Sequence, residues 1–303
     1  MRKKYKLIKK DVITIDDRKL YRIKALRDFG RVKKGDIGGY IEKESNLSHA
    51  GNAWISESSK VYGNAQVFGD SWISGDATVF GDSWITENAA VYGNASVYGN
   101  ARVHGNAAVY GNAAVYGDSL IFENAEVFGN AKISGDATVF GDSWISGDAT
   151  VFGDSWIFGN ARVFEFARVF GNAKIAGNAN IKDNWHIQWG KFDKPLTLPD
   201  LIRGQTNLCI CNGFVLAYKR VNNDLTSEHD RSFKYEVGKI VKAKDPDISN
   251  KSCASGLHFS NAEYYPRESG QKTIACWIKV EDIITVQEGK IRAKRCKVIG
   301  ICD

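Results

Sequence analysis

From Ile55 to Ile187 a branched aliphatic recurs at every sixth position, 23 times in a row, always Val or Ile. The unit reads Val/Ile, variable, Gly, Asn/Asp, Ala/Ser, variable. A helix turns every 3.6 residues, so a period of six would scatter the aliphatics around it. A Gly with an Asn or Asp in each unit would weaken it further. Short strands joined by tight corners suit the pattern. Val and Ile favour a pleated backbone, and Gly-Asn or Gly-Asp supplies the positive φ of a sharp corner. One unit has nothing to bury its aliphatic against, so the units must stack around a common core.

This run resembles the hexapeptide-repeat, left-handed parallel β-helix superfamily. The resemblance implies three units per triangular coil, hence seven to eight coils between 55 and 187. At the spacing of paired strands the stem is then about 35–40 Å long. It also implies that the aliphatic and the small residue two before it point inward, as Ala65 before Val67 and Ser71 before Ile73. Residues three units apart lie above one another. The position after each aliphatic then gives three outward columns. The first is Tyr62, Phe80, Tyr98, Tyr116, Ser134, Phe152 and Phe170. The second holds Ser74, Tyr92, Tyr110, Phe128, Ser146 and Phe164. The third holds Phe68, His104, Phe122, Phe140 and Phe158. Trp54, Trp72 and Trp144 precede the aliphatic on one face, and Trp84 and Trp156 on another. Rings stacked between coils stabilise the stem, and contiguous apolar surface marks an interface. We therefore expect a homo-oligomer, a trimer or dimer, formed through these faces.

One corner carries Asn64, Asp82, Asn100, Asp118, Asp136, Asp154 and Asn172, a partial acidic stripe. It reads either as good turn residues or as an imitation of a nucleic-acid backbone. One unit departs from the corner rule, with Glu165-Phe166 in place of Gly-Asn, and predicts a bulge or a docking point. The segments 70–85 and 142–157 are identical and twelve units apart, which is four whole coils.

Flanking the stem are two other regions. Residues 1–46 predict a β-rich cap, with Lys19–Ala25 as a strand, because an open solenoid edge invites pairing with other chains. The stretch KALRDFGRVKKGDIGGYIEKESNLSHAGNAWIS, followed by V-x-G-N-A-x units, resembles YdcK-like proteins over about the first 190 residues. That resemblance implies the β-helix again and a phage or mobile-element origin, with no catalytic residues to carry over. Residues 188–207, with Pro195 and Pro199, predict a linker. Residues 208–303 predict a small α+β domain with strands at 208–221, 233–243, 256–260, 274–280 and 291–300, and a short helix capped by Ser260. The expected fold is thus mainly β: cap 1–46, left-handed parallel β-helix 47–187, linker 188–207, α+β domain 208–303.

Charge is segregated along this plan. Residues 1–54 carry 15 basic and 7 acidic side chains, 55–187 carry 7 and 14, and 188–303 carry 19 and 14. Balancing charge on solvated ends accounts for this, so nucleic acid is not the expected partner. No apolar run is long enough for a membrane span and no signal peptide opens the chain, so a cytoplasmic protein is expected. The six Cys (209, 211, 253, 276, 296, 302) form no Cys-x-x-Cys pair and are expected reduced.

Acyl transfer, the activity that the superfamily resemblance implies, uses a His beside a loop that interrupts the repeats. This stem has His104 and His186 but no such loop. Five scattered His (49, 104, 186, 229, 258) make no three-His metal cluster, so neither metal nor cofactor is expected. In the C-terminal part, Leu216-Ala-Tyr-Lys-Arg220, Gly256-Leu-His-Phe-Ser260 and Glu281 or Glu288 resemble ADP-ribosyltransferase-like modules. The resemblance implies Tyr218, Arg220, His258 and Glu281 as site residues. The Ser-Thr-Ser strand and the Glu-x-Glu motif of such modules are missing. Gly-x-His-Phe modules also close other phage-borne repeat proteins. The expectation is a non-enzymatic binding or scaffold protein whose stem self-associates and presents a C-terminal module to a protein partner, including a host defence protein. The alternatives are a transferase and a nucleic-acid mimic or binder.

Overall fold

The computed structural model describes residues 2–182, 185–248, 254–264 and 270–302. The chain divides into two compact units, one of residues 1–182 with 191–195, the other of 183–190 with 196–303.

The first unit begins with an antiparallel meander, β1 (Tyr5–Ile15), β2 (Arg18–Ala25) and β3 (Ile37–Ile41). The stem strands β4 to β25 follow, two residues each, from Trp54–Ile55 to Asn180–Ile181, each closed by one of the periodic aliphatics. Strand β26 (His186–Ile187), in the second unit, keeps the same spacing. The stem strands pair in parallel with the strand three units further on, as Val91 with Val109, Val97 with Val115 and Val103 with Ile121. The result is a parallel β-solenoid of about 8 turns, its third sheet ending in β27 (Lys191–Phe192). Both inward columns are wholly buried, the aliphatics and the Ala or Ser two before them. Four buried serines satisfy their hydroxyls locally: Ser71, Ser83, Ser119 and Ser155 each donate to the carbonyl three residues back at 2.8–3.0 Å.

At each corner Gly takes a left-handed backbone, as Gly99 at φ +71°. A Cβ on Gly99 would lie 2.9 Å from the amide nitrogen of Gly117 in the next coil. Close coil stacking, together with φ, requires glycine there. Four glutamates nonetheless occupy this position with positive φ: Glu57, Glu87, Glu123 and Glu165. The first three compensate in one way. Their carboxylates accept from the glycine N–H one coil on: Gly75 at 2.6 Å, Gly105 at 2.8 Å and Gly141 at 2.9 Å. Glu165 makes no bulge. Asp148 N still donates to its carbonyl at 2.7 Å, and the strands at 162–163 and 168–169 keep the six-residue spacing.

The cap acts as a set of donors. In the stem the N–H groups on either side of each aliphatic donate to carbonyls in the following coil, as Trp84 N to Ala101 O and Tyr98 N to Val115 O, both at 3.0 Å. The first coil's own carbonyls therefore need donors from outside. On one face β3 and the residue after it supply them, Tyr40 N to Ser59 O (2.8 Å) and Glu42 N to Val61 O (3.2 Å). Elsewhere side chains do. Lys4 Nζ donates to Ala53 O at 2.7 Å, and Asn46 Nδ2 to Gly63 O at 3.1 Å and Ala65 O at 2.9 Å. Tyr5 Oη donates to Leu47 O at 2.7 Å. Gly38 and Gly39 let β3 lie close, since a Cβ on either would come within 2.5 Å of a first-coil carbonyl oxygen.

The second unit holds α1 (Leu198–Thr206) inside the stretch expected to be a linker. Thr197 and Asp200 form its capping box, and Leu201 and Ile202 are buried. Proline at the start of a helix costs nothing there, so Pro199 marks a helix start rather than a linker. Strands β28 (Ile210–Cys211), β29 (Phe214–Asn222), β30 (Ile240–Lys242), β31 (Leu257–Phe259), β32 (Gln271–Lys279), β33 (Ile283–Gln287), β34 (Lys290–Ala293) and β35 (Arg295–Cys302) follow. They make an antiparallel five-stranded sheet, β28-β29-β32-β35-β30, and a three-stranded one, β31-β34-β33. The strand expected at 233–243 shortens to β30, and β33 was not expected. Ser260 caps no helix among the described residues. Its hydroxyl donates to Gly289 O, and its backbone bridges Tyr218. Tyr265 and Cys253 lie outside the described residues.

Candidate functional site

On the stem the ring columns are continuous stacks. Tyr62, Phe80, Tyr98 and Tyr116 stack in succession at 4.9–5.0 Å between centroids. So do Tyr92, Tyr110 and Phe128 at 4.8–4.9 Å, and His104, Phe122, Phe140 and Phe158 at 4.8–5.1 Å. Phe152 and Phe170 form a separate pair at 5.1 Å beyond the gap at Ser134. Three tryptophans share a packing pattern that Trp156, followed by Phe158, does not. Trp72, Trp84 and Trp144 are each followed two residues later by Ser74, Thr86 and Ser146, so a large indole neighbours a small side chain. Trp84 and Trp144 then close the rows edge-on against Phe68 (6.0 Å) and Phe128 (6.2 Å). Trp84, Trp144 and Trp156 remain exposed, and each carries a cation from the next coil: Arg102 at 5.4 Å, Arg162 at 4.8 Å and Lys174 at 5.0 Å.

His104 is thus a ladder ring, 3.8 Å from the Glu87 carboxylate. His186, in the second unit, lies 3.7 Å from Glu288. The acidic corner works as a turn series. Asn64 donates to Asp82 at 2.9 Å and Asn100 to Asp118 at 2.7 Å, and Asp136 and Asp154 continue the same exposed column. No cluster able to hold a metal ion occurs among the described residues. Nor, among them, is any helix long and apolar enough to cross a membrane.

The built cavity is in the second unit. It measures about 320 Å³ and is bounded by β29, β31, the loop at 227–235 and residues 243–244 and 254–256. Alternation along β29 decides which side chains enter. Val215, Ala217 and Val221 face the core, and Lys219 shares their side. Its Nζ donates to His258 O at 3.2 Å and lies 5.4 Å from the Tyr235 ring centroid. Burial pushes its pKa down. His258 also lines the cavity, and burial, then the Lys219 and Arg292 cations, hold its pKa down to about 4. Its imidazole is therefore neutral at pH 7. Burial likewise raises the Tyr235 hydroxyl.

Of the four residues implied by the transferase resemblance, only His258 lines this cavity. Tyr218 and Arg220 project from the opposite side of β29 to Lys219. Glu281 is exposed in the turn at Val280–Asp282, 3.4 Å from Lys279 and 3.6 Å from Arg295. Sequence reasoning overlooked Lys219, although a charge in phase with Val215, Ala217 and Val221 was a legible signal.

Two families match parts of the chain. Residues 131–146 match the YdcK β-solenoid repeat. Residues 215–301 match a domain of unknown function, DUF7666. No curated protein matches the chain. The stem is a parallel β-solenoid, and its repeat is similar to the YdcK solenoid repeat over residues 131–146.

Proposed function

We propose that the chain is a non-catalytic binding protein, in which the solenoid stem self-associates and carries a C-terminal recognition domain for a protein partner. One observation carries this reading: the two units use their polar and aromatic groups differently. In the stem, rings, corner amides and glutamates are engaged from coil to coil, and no loop opens the run of strands from β4 to β25. A solenoid of this kind is a stiff support. The C-terminal unit instead holds a cavity lined by a partly buried cation, Lys219. Trp84 and Trp156 on one face and Trp144 on another are among the exposed stem groups suited to meeting a second copy. The protein acts in the cytoplasm. In the mobile-element setting implied by the YdcK likeness, the partner is a host protein, a defence protein included.

Light scattering on the full chain tests the assembly. The expected mass is two or three times 33.5 kDa, returning towards the single-chain value in a Trp84→Ser, Trp156→Ser double variant. A single-chain mass for the wild type overturns it. A full-length bait that recovers no protein above a control overturns the partner.

A further inference from the structure

We propose that the C-terminal cavity binds a small oxyanion carried on a flat ring, with Lys219 as its counter-charge. This goes beyond the docking role above and holds whether or not the stem self-associates.

Lys219 is drawn off the surface onto the apolar side of β29, yet no carboxylate among the described residues lies within ion-pair distance of it. Among those residues its one hydrogen bond is to a backbone carbonyl, His258 O. An ammonium has three donors, and a buried charge without a partner is costly. Glu228, the acid whose field reaches it, is exposed and makes no ion pair with it. Around the same space stand Lys244, His229 and His258, against the single acid Asp230. That carboxylate is already engaged by the amide and hydroxyl of Ser232, at 2.9 and 2.6 Å. With His258 neutral, the lining balances the Lys219 and Lys244 cations against the one carboxylate of Asp230, which leaves it positive.

Shape supplies the second half. Phe233 and Tyr235 line the cavity and meet edge to face at 5.3 Å, and Phe233 keeps part of its surface exposed to meet a flat ring. A volume of about 320 Å³ admits a one-ring molecule with a charged group. Since His258 is neutral at pH 7, it contributes a hydrogen bond rather than charge, which leaves Lys219 and Lys244 as the cations, and a bound anion would favour the protonated form of Lys219 against the burial that lowers its pKa.

Phenyl phosphate, benzoate and inorganic phosphate, titrated against the full chain by ligand-observed NMR, test this. Phenyl phosphate or benzoate should bind more tightly than inorganic phosphate, and their order separates a phosphate from a carboxylate ligand. Lys219→Met should weaken binding roughly 10- to 100-fold, the loss of one charge-assisted hydrogen bond, with circular dichroism unchanged. Phe233→Ala should weaken the two ring-bearing probes and leave inorganic phosphate unaltered. If Lys219→Met does not fold, Lys244→Met should show a smaller loss in the same direction. Absence of binding by all three probes overturns the site. So does binding that these lysine variants leave intact. Equal affinity for phosphate and phenyl phosphate overturns the flat-ring part.

Discussion

At the residue scale the corner position shows how one backbone demand admits two solutions. Gly99 needs φ +71° and clearance for the Gly117 amide 2.9 Å from any added Cβ. Glycine answers both at no steric cost. Glutamate at Glu57, Glu87 and Glu123 accepts the left-handed strain and offsets it with a hydrogen bond from the glycine one coil on. Such strain is about 1–2 kcal/mol for an L residue, and a charge-assisted hydrogen bond returns about 1.5–3 kcal/mol. Gly99→Val, with strain and no acceptor, should destabilise the stem by about 2–3 kcal/mol. Gly99→Glu should cost about 1 kcal/mol or less. Urea denaturation of the two variants beside the wild type decides it, and equal losses would sink the account. The same geometry explains why each of the three glutamates has a glycine one coil further on: its Cβ and carboxylate both need the open backbone of that glycine.

At the element scale the cap shows what periodicity reveals and what it conceals. The aliphatic period made the stem legible strand by strand, because every inward position repeats the same burial. Ring columns followed from the same arithmetic. A cap over residues 1–46 was predictable from the need to close an edge. Its devices were not, because Lys4 and Asn46 have no periodic signature and reach carbonyls far along the chain, at Ala53 and Ala65. The C-terminal unit was less legible for the same reason. Strands β29, β32 and β35 pair across long stretches of chain, whereas the hairpin β33–β34 and helix α1 carried local signals that were overlooked, the Glu288-Gly289 turn and the Thr197/Asp200 capping box. Lys4 makes the cap testable by pH. Burial, and then the Arg27 cation, pull its pKa down to about 8 from 10.5. Between these values the unfolded chain binds more protons than the folded one, so stability rises with pH across the window. The destabilising contribution is full below pH 8 and gone above 10.5, up to about 3 kcal/mol in all. Denaturation of the wild type should therefore gain on a Lys4→Met variant between pH 8 and 10.5. A constant difference between the two across that range would show that Lys4 is not buried as a cation.

At the scale of the whole molecule, the stem behaves as a one-dimensional stack, in which stability is close to a sum over coils and their interfaces. Each strand pairs with the strands three units before and three units after it, so the coil, not the six-residue unit, is the quantum of the fold. The identical segments 70–85 and 142–157 allow a clean test. Deleting residues 70–141 removes four coils and joins Gly69 to Asp142, the residue type that already follows it as Asp70. Lys60 would then meet Thr150, and Gln66 would meet Trp156, each pair on its own face. The shortened chain should fold, with a smaller denaturant dependence of its unfolding free energy in proportion to the surface lost. Deleting a single six-residue unit, residues 94–99, removes nearly nothing by mass yet rotates every later unit by one face. It would splice one column onto another at that level, setting Phe80 against His104 and Tyr92 against Tyr116, and would leave Trp84 beside Ala108 instead of its cation Arg102. The single-unit deletion should therefore lose more stability per residue removed than the four-coil deletion. If instead the loss follows only the number of residues deleted, the ring columns contribute nothing specific. The stem's regularity would then lie in its aliphatic interior alone.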